Sequence, residues 1–129
     1  LGLSGRVEVL QGDLFAPLEA LGVEGRVDLV VCNPPYISTG RLAERPELLR
    51  REPREAFDGG PYGLSVQQRV IRDAARFLRP GGALAMELGV GQARQVTLLV
   101  DRARAYDPPT LTRDAADEPR VAVARKRIR

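Results

Sequence analysis

Three observations predict an α/β fold. The apolar run Val27-Asp28-Leu29-Val30-Val31-Cys32 stops at a proline pair. Val66, Val70, Ile71, Ala74, Phe77 and Leu78 then fall at helical spacing ahead of Pro80. A further apolar run, Ala83 to Leu88, follows the turn Pro80-Gly81-Gly82. Strand, helix and strand in succession, punctuated by Pro and Gly, give the alternating order of an α/β domain.

In chain order, Leu1-Gly2-Leu3-Ser4 reads as the tail of a helix and Arg6 to Leu10 as a short strand with apolar alternation. Val27 to Cys32 reads as a buried strand that ends where the chain turns. Ser38 to Gly63, rich in Pro and Gly, reads as a substrate-facing insertion rather than a linker. Ser65 is the expected N-cap of the helix that Pro80 ends. After the Ala83–Leu88 strand, Gln92 to Ala105 repeats the helical pattern with Val96, Leu99, Val100 and Ala103. A weak strand at Thr110 to Arg113 and a clear one at Val121 to Ala124 close the chain. Internal repeats and low-complexity stretches are absent.

Composition excludes several kinds of chemistry. The 129 residues suit one domain with a single core, and a hydrophobic share of 43% with only 5% aromatic residues fits aliphatic α/β packing. There is no secretory signal, lipidation motif or membrane-length apolar stretch, so a soluble cytoplasmic protein is expected. Histidine is absent, which removes His-based triads and the usual zinc sites; no metal is expected. Cys32 is the only cysteine, and at the end of a buried strand with no imidazole to activate it, it reads as a small core residue. The net charge of +3 is concentrated in Arg125, Lys126, Arg127 and Arg129, a solvated tail suited to acidic partners. Elsewhere the arginines alternate with acids and no aromatic ladder accompanies them, which argues against nucleic-acid binding.

Asn33-Pro34-Pro35-Tyr36, directly after the Val27–Cys32 run, describes a device for holding a planar amino group. Ligands of open α/β sheets bind at the carboxyl ends of strands. An amide or aromatic amine nitrogen is a poor nucleophile because its lone pair is delocalised, so it needs positioning more than it needs a base. The Asn33 side-chain oxygen can accept one substrate N–H and the Pro34 carbonyl the other. The two prolines fix φ and remove competing donors, and the Tyr36 ring can lie against the flat group. A plain turn is the alternative reading of the tetrapeptide.

Asn33-Pro34-Pro35-Tyr36-Ile37, the segment Glu52-Pro53-Arg54-Glu55-Ala56-Phe57-Asp58-Gly59-Gly60-Pro61-Tyr62-Gly63-Leu64, and Leu78-Arg79-Pro80-Gly81-Gly82 together resemble the HemK/PrmC-type protein-(glutamine) methyltransferases. Gln11-Gly12-Asp13-Leu14-Phe15 and the closing Arg113-Asp114 with Pro119 to Ala124 also match, so the resemblance runs over nearly the whole chain. Asn-Pro-Pro-Tyr alone is shared with amino-directed DNA and RNA methyltransferases; the Glu52 to Leu64 segment is far more specific. The resemblance implies a Rossmann-like class I S-adenosylmethionine-dependent methyltransferase fold. It also implies methylation of a protein glutamine amide, in the best-known members that of peptide chain release factors.

Carried onto this sequence, the resemblance assigns catalysis to Asn33, Pro34 and Tyr36, and substrate binding to these residues with Pro35 and Glu52. It places Asp13 as acceptor for the adenine amino group of S-adenosylmethionine, Leu14 and Phe15 over the ring, and Asn33 beside the cofactor. Asp13 capping a turn remains an alternative, as does a surface pair between Glu52 and Arg54. Glu87 is either a partner for a backbone or substrate group or an edge residue facing water. Tyr62 and Phe57 depart from the family's usual acid and Leu, which leaves the identity of the protein substrate open. The implied partner is a release factor or similar translation protein, with no membrane.

The family's opening strand with its Gly-rich cofactor turn, and the following strand ending in an acid for the ribose, have no counterpart here; Gly2, Gly5 and Gly12 do not form that turn. Residues 1–129 are therefore expected to be the C-terminal portion of one catalytic domain, lacking the two strands that lie between Arg6–Leu10 and Val27–Cys32 in the family's sheet. Alone, such a portion is expected to be inactive and to bind the cofactor weakly. Methylation of an exocyclic amine in adenine or guanine, and an inactive remnant acting as a binding module, are the alternatives.

Overall fold

The computed structural model describes residues 2–50 and 52–128. Leu1 of the expected helix tail and Arg129 of the basic tail lie outside them. Four strands form one sheet: β1 (Val27–Cys32), β2 (Leu78–Glu87), β3 (Thr110–Arg113) and β4 (Pro119–Arg125), in the order β1-β2-β4-β3. β1 and β2 run parallel, with Val30 opposite Leu84 and Cys32 opposite Met86, and α2 (Ser65–Phe77) lies between them in sequence. A parallel pair needs such a crossover because the chain must return to the same end of the sheet. β4 is antiparallel to β2 and to β3. The helix α3 (Ala93–Arg102) connects β2 to that closing hairpin.

The core lies on one face of this sheet. Leu84 and Met86 of β2 and Leu88 just beyond it alternate inward and pack with Ala122 and Ala124 of β4, with Val70, Ile71 and Ala74 of α2, and with Val96 and Val100 of α3. Burying each large aliphatic side chain contributes about 1.5–3 kcal/mol. Tyr106 closes the cluster; it is 1% exposed, and its hydroxyl donates to the Ile71 carbonyl at 2.8 Å. Burial pushes the Tyr106 phenol well above its ordinary value, which keeps it a donor.

Several expectations are corrected. Arg6 to Leu10 forms no strand, and Val9 is 90% exposed. No described strand lies alongside to take up its backbone groups, and a ladder exists only when both sides are paired. β1 is half-buried on one face, through Val27, Val30 and Cys32, and open on the other: Leu29 is 53% and Val31 74% exposed, because β1 is the sheet's edge and no described helix covers its second face. Pro80-Gly81-Gly82 is not a turn ahead of the strand but an irregularity within β2, where the register moves from Val27 opposite Leu78 to Leu29 opposite Ala83. Gly81 has φ +74, a conformation that favours glycine, and a Cβ at Gly82 would stand 3.0 Å from the Val27 carbonyl oxygen, a tight contact that would press the two strands apart. Ser65 is the first residue of α2, not its cap, and Leu64 occupies the cap without a side-chain bond. The Pro- and Gly-rich segment holds a short helix, α1 (Thr39–Ala43), and two 3-10 turns, Pro46–Arg50 and Arg54–Ala56. Among the described residues no helix is long and apolar enough to cross a membrane.

Candidate active site

Where β1 stops, Asn33 is exposed, Pro34 is buried, and Pro35 and Tyr36 are half-buried. They form one wall of a cleft of about 970 Å³. α1 and the Pro46–Arg50 turn supply Arg41, Glu44, Arg45 and Leu48, the following segment supplies Glu52, Phe57 and Tyr62, and Gly89 to Gln92 close the far side. The Asn33 side chain forms no hydrogen bond with any described residue. Its amide oxygen and nitrogen are thus available to a ligand at the carboxyl end of a strand, where α/β sheets bind theirs.

The cleft's outer wall is tied to this strand end by backbone. The Ile37 amide donates to Phe57 at 3.1 Å, the Gly59 amide returns a bond to Ile37 at 2.8 Å, and the Thr39 amide donates to Gly60 at 3.0 Å. A Cβ at Gly59 would stand 2.7 Å from the Pro35 carbonyl oxygen and 2.8 Å from the Gly63 Cα, so only glycine lets the two segments lie this close. Asp58 secures the same turn. Its carboxylate accepts from the Thr39 hydroxyl at 2.7 Å, the Gly60 amide at 3.0 Å and the Arg54 guanidinium at 2.9 Å. These bonds, led by the Thr39 hydroxyl, hold the Asp58 carboxyl below its ordinary value. A carboxyl lowered in the folded state stabilises above its unfolded value and loses that contribution as pH falls through the folded one. Protection of the Thr39 and Gly60 amides from hydrogen exchange should therefore be full at pH 7 and fall below about pH 4, and in Asp58→Asn that pH dependence should disappear.

Tyr36 and Gln92 join the two sides. The Tyr36 ring lies against Gly89, where an added Cβ would stand 2.9 Å from its Cδ2. The Tyr36 hydroxyl makes a long 3.5 Å contact to Glu87 Oε1, which also accepts from Arg120 at 3.3 Å. Glu87 is thus not an edge residue, since β2 lies between β1 and β4; its side chain, 36% exposed, pairs with Arg120 beside the tyrosine. The Gln92 amide donates to the Tyr36 carbonyl at 3.1 Å and the Gly63 carbonyl at 3.0 Å, and its oxygen accepts from the Gly89 amide at 3.0 Å and from Gln67 at 3.1 Å. At the end of β1, just before Asn33, partial burial raises the Cys32 thiol, as befits a packed residue rather than a nucleophile.

Asn33, Pro34, Pro35, Tyr36 and Glu52 therefore share one cleft. Asp13, Leu14 and Phe15 lie elsewhere, against α2. Asp13 pairs with Arg69 at 2.6 Å, Phe15 stacks on Phe77 with ring centroids 5.2 Å apart, and Leu14 takes a left-handed φ of 51° between them. The Asp13–Arg69 pair is exposed, so it holds the carboxylate only weakly and leaves it open to another donor. Arg54 pairs with Asp58 rather than with Glu52. Two residues of the site were missed from sequence. Asp58 carried a signal, an Asp two positions before the glycine whose amide it accepts; Gln92 carried none beyond its place at a helix start.

The four-stranded sheet and its helices form part of the fold of class I methyltransferases. A methyltransferase from Pyrococcus furiosus superimposes with a TM-score of 0.54 over 82% of this chain and 44% of that one, at 17% identity, a likeness of fold alone. No protein-family model matches the chain. In sequence it is 43% identical over 127 residues to the release factor glutamine methyltransferase of Moorella thermoacetica, covering 98% of this chain and 44% of that protein. It is also 46% identical over 91 residues to the ribosomal protein uL3 glutamine methyltransferase of Bradyrhizobium diazoefficiens, covering 70% of this chain and 27% of that one. The chain belongs to the HemK/PrmC-type glutamine methyltransferase family. It spans less than half the length of these relatives.

Proposed function

We propose that this chain is the substrate side of an enzyme that methylates the side-chain amide nitrogen of a protein glutamine, in a peptide chain release factor or a similar translation protein. The observation that carries this reading is the Asn33 amide, unengaged by any described residue, in a cleft at the carboxyl end of β1. Ser38, Arg41, Leu48, Glu52, Phe57 and Tyr62 of the Pro- and Gly-rich segment form the substrate-facing wall of the cleft. The Asn33 oxygen accepts one amide hydrogen and the Pro34 carbonyl the other, which pulls the nitrogen toward a localised lone pair as it attacks. The Tyr36 ring covers the amide plane, and Glu52 contacts the substrate backbone at the rim.

S-adenosylmethionine fits the residues present: the exposed Asp13 carboxylate suits the adenine amino group, and Leu14 and Phe15, held by α2, suit an aromatic face. When bound it would supply an electrophilic methyl group for the amide nitrogen, the displaced amide proton going to water. Asn33 and Pro34 would hold the amide group by its two hydrogens at the carboxyl end of β1 and so orient its nitrogen for transfer.

The test is incubation of the full-length enzyme with radiolabelled cofactor, a protein extract lacking its own methylation, and oligonucleotides. Label should enter protein and be recovered as methylglutamine after proteolysis. Label in DNA or RNA, with none in protein, overturns the assignment and favours the exocyclic-amine chemistry that Asn33 and Pro34 would also suit.

A further inference from the structure

We infer that Gln92 is a positioning residue of this site, the single side chain that sets the Tyr36 end of the Asn33–Tyr36 segment against the wall of the cleft. The inference rests on the functional reading above for its catalytic consequence, though not for its geometry. Three chain segments far apart in sequence converge on one amide. Its nitrogen spends both hydrogens on the carbonyls of Tyr36 and Gly63, and its oxygen takes the Gly89 amide and the Gln67 amide nitrogen, at 3.0–3.1 Å throughout. Two donors and two acceptor positions are the whole hydrogen-bonding capacity of a glutamine side chain, so no rotation of the group preserves the set.

Gln67 holds it from behind. It is fully buried in α2, and its own oxygen has no partner among the described residues, so its one evident polar contact there is the bond to Gln92. A buried amide left half-satisfied is disfavoured unless the bond it does make is needed. The glycines agree with this arrangement. A Cβ at Gly89 would stand 2.8 Å from the Gln92 oxygen, and one at Gly63 would stand 3.0 Å from its nitrogen. The backbone has thus closed around the amide on two sides. Tyr36 is the last residue of the Asn33-Pro34-Pro35-Tyr36 wall, and with both prolines fixed in φ, anchoring the Tyr36 carbonyl leaves little freedom in where the Pro34 carbonyl points.

The experiment uses the full-length enzyme with Gln92→Glu and Gln92→Met. Both keep the volume; the first keeps acceptors and turns a carboxylate toward two carbonyls, and the second removes polar groups altogether. If Gln92 positions the wall, both variants slow single-turnover methyl transfer at saturating protein substrate on the order of 10- to 100-fold. Cofactor affinity stays within about twofold, because Asp13 to Phe15 are not touched. Hydrogen exchange should rise in Tyr36 to Gly63 and not in α2 or α3. Rates within about twofold of wild type in both variants overturn the inference, as does exchange raised equally across α2 and α3, which marks a residue of general stability. If the wild-type enzyme methylates no glutamine, the functional reading fails separately. Exchange then decides alone: exposure confined to Tyr36–Gly63 keeps Gln92 as the residue that holds the wall, and unchanged exchange overturns it.

Discussion

Asn33→Ala in the full-length enzyme is expected to slow methyl transfer by roughly 100-fold or more, by analogy with the loss of one positioned hydrogen-bonding group from an active site. The exposed Asn33 side chain bonds to no described residue and stands in the wall of the cleft, so its removal opens no core and breaks no hydrogen bond among the described residues. The loss should fall on the chemical step. Cofactor affinity should change little, since Asp13 to Phe15 lie against α2 and not in this cleft. Asn33→Asp keeps an acceptor but adds a charge and removes the amide's own donor, so it should be impaired as well. Single-turnover transfer beside a cofactor titration separates the two effects. Near wild-type turnover in Asn33→Ala would reduce the segment to a structural turn and take away the main support for glutamine methylation.

Phe77→Ala is expected to lower the free energy of unfolding by about 3–5 kcal/mol, the range for deleting a fully buried aromatic ring. Phe77 is 0% exposed at the end of α2, and Phe15 stacks on it at an interplanar angle of 15°. The variant should therefore loosen the Gln11–Leu21 segment as well as the core, and in the full-length enzyme it should weaken cofactor binding by displacing Leu14 and Phe15. Denaturant unfolding followed by circular dichroism measures the first effect, and calorimetric titration of the cofactor the second. Phe77→Leu should recover most of the stability but not the stacking. A loss below about 1 kcal/mol in Phe77→Ala would mean that the cavity collapses and that Phe15 is held by something other than the ring.

The elements legible in the sequence were those whose signal is local and redundant. α2 was visible because Val66, Val70, Ile71, Ala74 and Phe77 repeat at the spacing of one helix face, and the structure buries that face against β2. β1 was visible as an apolar run with a proline stop, and Thr110–Arg113 and Val121–Ala124 as a closing pair, which the structure joins antiparallel. Arg6 to Leu10 misled for the same reason. Its alternation is that of a strand, but alternation supplies only one side of a ladder, and no described strand supplies the other. The Pro80-Gly81-Gly82 segment misled because proline and glycine mark a turn and a strand irregularity alike.

The chemistry of the cleft divides along the same line. Residue types alone determined that these 129 residues carry no histidine chemistry and no intrachain disulfide, and that the chain alternates helix and strand; they also raised the expectation that Asn33 and Pro34 hold a planar amide. Those properties follow from which atoms a side chain carries and from its neighbours in the chain. Only the tertiary structure decided that Asp58 ties the outer wall to Thr39 and Gly60, that Glu87 pairs with Arg120 behind Tyr36, and that Gln92 gathers Tyr36, Gly63 and Gly89 onto one amide. The Glu87 and Gln92 contacts join residues between 3 and 56 positions apart. A long-range hydrogen bond leaves no period in a sequence, because its partners are brought together by the packing of β1, β2 and α2 and not by their spacing along the chain.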